Sequence, residues 1–141
     1  MVEIDVVYEG QLHCLVTHAP TGQSFTTDAP KDHDGEGRTF SPTDLVAAAL
    51  GSCMATVMGI LARRKQIDLT GLRVHVVKEM VQQPQRRIGS LTTTITLPVR
   101  LSAEERTLLE RAALTCPVHH SLHPDIHAPV QFVYEKSSGL F

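Results

Sequence analysis

The stretch that most limits what this chain can become is residues 45–62, LVAAALGSCMATVMGILA, which carry no charge over 18 positions and are followed at once by Arg63, Arg64 and Lys65. A run of that length is just long enough for a helix to cross a bilayer. Its makeup points elsewhere. Gly51, Ser52, Thr56 and Gly59 lie inside it, five of its positions are alanine, and the segments on either side alternate like soluble strands. We read it as a buried core helix, apolar on nearly every side, which other structure must wrap and whose small residues admit a close neighbouring backbone. No membrane association is expected.

The helix has a clear start. In Ser41-Pro42-Thr43-Asp44, Ser41 suits the N-cap, Pro42 the first helical position, and Asp44 can reach back as in a capping box. The predicted helix runs from Pro42 to about Lys65, with Cys53 in its middle. Upstream, Val2, Ile4, Val6 and Tyr8 alternate with Glu3, Asp5 and Glu9, the period of a half-buried strand. A turn at Gly10 leads to a second strand through Leu12, Cys14 and Val16. After Pro20-Thr21-Gly22 a third strand, residues 23–28, completes a meander. Residues 29–39, APKDHDGEGRT, are polar and rich in turn formers, and are expected to be an exposed loop.

Downstream, residues 72–81 and 91–99 are predicted strands joined by a long loop, QQPQRRIGS. Ser102-Ala103-Glu104-Glu105 is a second capping box, opening a helix to about Leu114. Cys116-Pro117 is expected to start a further short helix, and residues 130–134 a last strand. The order of elements is that of an α+β chain, and 141 residues fit a single domain over 1–141.

Charge names no partner. The net charge is -2, aromatics make up 4% and Trp is absent, so neither a phosphate-steering surface nor a base-stacking platform is present, and nucleic acid is not an expected ligand. The N-terminus, MVEIDVVYEG, is acidic where a secretory signal would be basic, which predicts a cytoplasmic location. Three cysteines without a short paired spacing argue for free or redox-active thiols in a reducing compartment.

Each cysteine sits in a different local setting. Cys14 shares an alternating strand face with Leu12 and Val16 and should pack as a small hydrophobe. Cys53 lies too far along its helix for the dipole to assist a thiolate, and an apolar setting raises a thiol pKa, so its activation would need a nearby cation. Cys116, just before Pro117 at a helix start, would have exposed N–H groups to stabilise a thiolate. Local physics alone therefore favours Cys116 as the attacking sulfur.

Two motifs alter that weighting. The run from Ser41 to Cys53, SPTDLVAAALGSC, resembles the signature of the OsmC/Ohr family, in which a Pro-led helix of small and apolar residues carries the peroxidatic cysteine. Residues 116–122, CPVHHSL, resemble the family's second signature, a Cys-Pro-Val segment carrying the resolving cysteine, and the 63 residues separating Cys116 from Cys53 suit the family. The resemblance implies an OsmC-like fold, antiparallel sheets wrapped around a long central helix in an intertwined homodimer. It also implies a thiol-dependent peroxidase. Cys53 would reduce an organic hydroperoxide, Cys116 would close a disulfide with it, and a dithiol such as a lipoyl-bearing protein would restore both. No cofactor is implied.

The sequence departs from the Ohr type in two places. Well-characterised Ohr members carry an arginine in the first hairpin turn and a glutamate ten residues before the reactive cysteine, whereas this chain has Glu9-Gly10-Gln11 and Thr43. Arg38 and Asp44 are the candidate replacement pair. The departure keeps a second reading open, a non-catalytic redox-sensing or small-molecule-binding dimer on the same scaffold. A third reading is zinc held by Cys116 with His119, His120, His123 and His127. Their spacing lacks a second ligand pair, so turn or surface histidines and no metal are expected.

Overall fold

The computed structural model describes residues 1–136. The chain divides into two compact units, Met1–Val46 and a second that begins at Ala47. The first holds a meander of β1 (Ile4–Gly10), β2 (His13–His18) and β3 (Ser24–Asp28), paired antiparallel in that order. Cross-strand pairs Val6 with Val16, Tyr8 with Cys14 and Val16 with Phe25 gather these side chains on one face. That face stays open. Ile4, Val6, Tyr8 and Phe25 are 53%, 60%, 63% and 46% exposed, and the buried residues of this unit are Thr27, Asp28 and Ser41, all polar. A three-stranded sheet with a bare apolar face has not completed its core within one chain.

Sequence reasoning placed Leu12 in β2, but the strand begins at His13. Gln11 and Leu12 form a two-residue hairpin turn, with φ of 54° and 65°. Such a turn needs both central residues left-handed to match the twist of the strands. Neither residue type favours that conformation, which is why the sequence gives no sign of it. The Leu12 N–H donates to the Tyr8 hydroxyl at 3.2 Å, and the Leu12 carbonyl accepts from the Ala29 N–H at 3.2 Å.

Residues 29–40 form the expected loop, with a short 3-10 turn at Lys31–His33. The loop closes on itself, since the Asp28 N–H donates to the Phe40 carbonyl at 3.1 Å and the Gly37 N–H to the Ala29 carbonyl at 3.2 Å. It delivers the chain to α1 (Pro42–Lys65). The predicted capping box is present. The Ser41 N–H donates to Asp44 Oδ2 at 2.9 Å and the Asp44 N–H to Ser41 Oγ at 3.2 Å. At the far end Gln66 turns left-handed, φ 56°, and the Ile67 N–H reaches the Ala62 carbonyl at 2.8 Å, a Schellman stop with glutamine where glycine is usual.

The second unit is built on β4 (Arg73–Val81), β5 (Arg87–Pro98) and β6 (Val130–Glu135), with β5 in the centre. β5 starts four residues before the expected Leu91. Gly89 permits this, because a Cβ there would lie 2.4 Å from Val81 Cγ1, and its carbonyl accepts the His127 N–H at 2.9 Å. Pairing is antiparallel between β4 and β5. It is parallel between β5 and β6, because α2 (Ala103–Ala113) and α3 (Pro117–Ser121) intervene between them. Leu91, Ile95 and Leu97 of β5, Leu50, Met54 and Met58 of α1, and Leu109 and Ala113 of α2 are the buried core of this unit.

Within one chain the long helix is covered on one face, where Leu50, Gly51, Met54, Met58 and Ala62 are buried. These share one face at helical spacing. Ala48, Ala49, Ser52, Thr56 and Ile60 form an exposed stripe on another face. The helix is long and apolar enough to cross a membrane, with no charge over residues 45–62, but on its buried face it packs against a sheet. A Cβ on Gly51 would meet Val76 Cγ2 at 3.1 Å and Val74 Cγ1 at 3.4 Å, so glycine sets how closely α1 lies on β4.

Candidate functional site

Cys53 sits on α1 two residues beyond Gly51, about 200° around the helix from it. It is half-buried, between the covered face and the exposed stripe. Cys116 arrives by a separate route. Ser102 caps α2 through a full capping box with Glu105, and Arg106 holds the helix to the preceding chain by donating to the carbonyls of Val99 at 2.8 Å and Leu101 at 3.1 Å. Arg106 also lies 4.1 Å from the centre of the Tyr134 ring, and the Tyr134 hydroxyl donates to Glu110 Oε1 at 2.6 Å, fastening α2 to β6. The last turn of α2 then passes directly into Cys116, whose N–H donates to the Ala113 carbonyl at 3.3 Å.

Cys116 is the N-cap of α3, as its place before Pro117 suggested, and its sulfur accepts the His119 N–H at 3.5 Å. It is also fully buried within the core. Cys53 is its neighbour, near enough for the Cys53 sulfur to act on the Cys116 thiol. Both cysteines are free thiols. The fold has therefore brought the two thiols near each other across 63 residues of sequence.

The protonation of the pair follows from the same geometry. Burial pushes the Cys116 thiol above its ordinary 9.0, as does the neighbouring Cys53. The N–H groups of His119 and Val118 act in the opposite direction and are outweighed. The local argument that made Cys116 the attacking sulfur thus identified a real interaction and misjudged its weight. Cys116 holds its proton more firmly than a free thiol does. Two neighbouring thiols do not readily ionise together.

The other candidate residues lie in the first unit. The Arg38 guanidinium forms a two-point ion pair with Glu36 and is 58% exposed, while the Arg38 backbone N–H donates to Asp28 Oδ2 at 3.0 Å. Asp44 has its carboxylate on the N-terminus of α1, and Thr43 Oγ1 lies 3.2 Å from Ser41 Oγ in the same cap. The structure thus gives Arg38 and Asp44 separate partners. Cys14 is half-buried on β2 opposite Thr27 and Tyr8.

Two features escaped the sequence reading. Asp28 is buried, its Oδ1 lies 3.3 Å from His13 Nε2, and the Arg38 N–H foremost holds its carboxyl below the usual range. A histidine and an aspartate on separate strands carry no sequence signal of their pairing. His119 is the second. Its ring Nε2 lies 3.2 Å from the Ala128 carbonyl, and its ring stands edge-on to His120. His123 accepts the Asp125 N–H at 3.0 Å, and His127 bridges to Ser90. Among the described residues no three His, Cys, Asp or Glu side chains are grouped to hold a metal ion. An open cleft of about 540 Å³, lined by Arg73, Val74, His75 and Thr96, includes neither cysteine.

A long helix and a one-turn helix that set two free thiols beside each other define an α+β dithiol protein. Residues 34–130 match the OsmC-like proteins, and the chain belongs to that family. A solved protein from Psychrobacter arcticus 273-4, assigned by name to the osmotic stress induced and detoxification response, is 40% identical. The match covers 94% of this chain and 96% of that one, with a TM-score of 0.86. The fold is shared with the organic hydroperoxide resistance protein OsmC of Legionella pneumophila at 15% identity, 94% and 96% coverage and a TM-score of 0.75. It is shared also with OhrB of Bacillus subtilis at 17% identity, 94% and 97% coverage and a TM-score of 0.69. None of the curated proteins matches the chain.

Proposed function

We propose that the protein is a thiol-dependent peroxidase for organic hydroperoxides, with Cys53 peroxidatic and Cys116 resolving. The observation that carries this is that the fold sets the buried Cys116 thiol beside the half-buried Cys53, near enough for one sulfur to act on the other. A Cys53 thiolate attacks the nearer peroxide oxygen and the O–O bond breaks. The alkoxide takes up a proton and leaves as alcohol, and Cys53 becomes a sulfenic acid. The Cys116 sulfur then displaces the sulfenic oxygen, which leaves as water, and the S–S bond forms. A dithiol, such as a lipoyl-bearing protein, reduces the disulfide and is itself oxidised. The apolar residues around Cys53 favour an alkyl peroxide over hydrogen peroxide.

The working form is a homodimer on this proposal. The exposed stripe of α1 and the bare face of the β1–β3 sheet are two apolar surfaces that one chain leaves open, and a second copy is the cover the family resemblance implies. The test is consumption of cumene hydroperoxide in the presence of a dithiol. Wild type should turn over and Cys53→Ser should not; activity surviving in that variant removes Cys53 from the mechanism.

A second reading has its own observation. Thr43 and the Gln11-Leu12 turn replace the Ohr-type glutamate and arginine, and the Arg38 guanidinium is taken by Glu36. A redox-sensing or small-molecule-binding dimer would form the Cys53–Cys116 disulfide slowly and show no steady-state turnover, whereas fast cycling excludes it.

A further inference from the structure

We infer that His119 is a positioning residue for the disulfide-forming step, its ring holding α3 so that the Cys116 sulfur stays against Cys53; this rests on the assignment of Cys53 and Cys116 as a reacting pair. Helix α3 has five residues, too few to be stable by itself. Its internal bonds are the His120 N–H to the Cys116 carbonyl, the Leu122 N–H to the His119 carbonyl and the Ser121 hydroxyl to the Pro117 carbonyl. None of these fixes the turn to the rest of the unit. The His119 ring does so, through Nε2 and the Ala128 carbonyl at 3.2 Å.

The anchor is a firm one. On either side of Ala128 the backbone is bound to β5, since the His127 carbonyl accepts the Leu91 N–H at 2.9 Å and the Pro129 carbonyl the Thr93 N–H at 3.0 Å. Ala128 is thus held in line with the central strand while its own carbonyl receives the ring. The same residue that grips this anchor offers its N–H to the Cys116 sulfur at 3.5 Å. One residue therefore links the central strand to the sulfur in two steps. To close the disulfide, the Cys116 sulfur leaves the His119 N–H and moves to about 2.05 Å from the Cys53 sulfur. A turn pinned at its third residue leaves that motion to the cysteine side chain; an unpinned turn lets the sulfur drift out of range. Nε2 acts as donor here, so the ring serves in its Nε2–H tautomer or protonated, and no proton transfer is asked of it.

The conservative replacement is His119→Gln, whose amide N–H can occupy the place of Nε2. His119→Phe keeps a ring without a donor, and His119→Asn keeps a donor that falls short of Ala128. Disulfide closure between Cys53 and Cys116 is followed by mass spectrometry after rapid quenching, with two oxidants applied separately, cumene hydroperoxide and diamide. Dimedone trapping reports formation of the Cys53 sulfenic acid. Closure should slow about five- to tenfold in the Phe and Asn variants, the weight of one hydrogen bond. It should stay near wild type in the Gln variant, with sulfenic acid formation unchanged in all three. Closure at the wild-type rate in Phe or Asn overturns the inference, and so does a Gln variant as slow as the other two. If Phe fails to fold, the Asn and Gln pair carries the comparison. A wild type that leaves cumene hydroperoxide unreduced, with diamide closure still slowed in Asn and rescued in Gln, rejects the peroxidase and upholds the positioning role. A wild type that closes with neither oxidant rejects both.

Discussion

Replacing Cys116 by serine removes the resolving thiol and little else. A serine at that position keeps an atom to accept the His119 N–H, and serine is among the preferred N-caps, so α3 keeps its start. What disappears is a sulfur already beside Cys53. Well-oriented intramolecular groups behave as though present at ~10⁵ M or more, but a thiol that must first leave an N–H donor is assigned a far smaller figure, here about 1 M. Against about 1 mM of external dithiol, closure by Cys116 then outruns attack from solution about a thousandfold. The Cys53 sulfenic acid of Cys116→Ser should last longer by that factor, giving a second peroxide time to carry it to sulfinic acid. Stepwise equivalents of cumene hydroperoxide, with the mass of the Cys53 peptide and the lifetime for dimedone capture read at each step, measure both effects. If wild type is captured as readily as the variant, or the variant resists overoxidation, contact between the sulfurs does not govern resolution.

Three other perturbations test the structure around the site. Wild type should lose stability with rising pH more steeply than Cys116→Ser. Burial and Cys53 raise the Cys116 thiol above 9.0, so the folded chain holds its proton more tightly than the unfolded one. That contribution is complete below pH 9 and is lost as pH rises through the raised value. Tyr134, raised above 10.0 by burial and Glu110, has the same sign in both proteins; melting temperatures from about pH 8 to about pH 11 that fall in parallel would contradict the assignment. The double change Gln11→Asn, Leu12→Gly should raise stability by about 1 kcal/mol, by giving the left-handed turn residues suited to it. A lower urea midpoint would show that Leu12 packing outweighs the backbone. Gly89→Ala should cost about 1–3 kcal/mol through its clash with Val81, and Val81→Ala should recover part of the loss. Additive losses would mean that the two side chains do not meet.

The elements most legible in the sequence were those with a local cause. The two capping boxes, at Ser41 and Ser102, follow from hydrogen bonds spanning three residues, and both are present. The α1 stop at Gln66 and the Gln11-Leu12 turn were not legible, because tertiary structure imposes left-handed backbone on residues that rarely adopt it. The early start of β5 depends on Gly89 lying beneath Val81, a cross-strand relation that no window along the chain contains. The apolar run of α1 showed that the helix must be covered. It could not show that one chain covers only the face of Leu50, Met54 and Met58.

The cysteines show the same division more sharply, and here it decides the chemistry. A cysteine before a proline at a helix start has every local mark of an activated thiol, and one helix-start N–H, that of His119, does reach the sulfur. One such bond helps a thiolate by about 1–3 kcal/mol, whereas full burial in an apolar core costs a charge at least as much and here costs more. Helix position can be read from sequence, and burial depth cannot. Depth supports the proposed roles independently of the motifs. The buried sulfur holds its proton, and the half-buried sulfur on α1 is the more accessible of the two. On the proposed mechanism a resolving cysteine gains from that restraint, since a thiolate at Cys116 would repel the thiolate needed at Cys53 and compete with it for oxidant. In that mechanism the amide of His119 is what holds the Cys116 sulfur until it is needed.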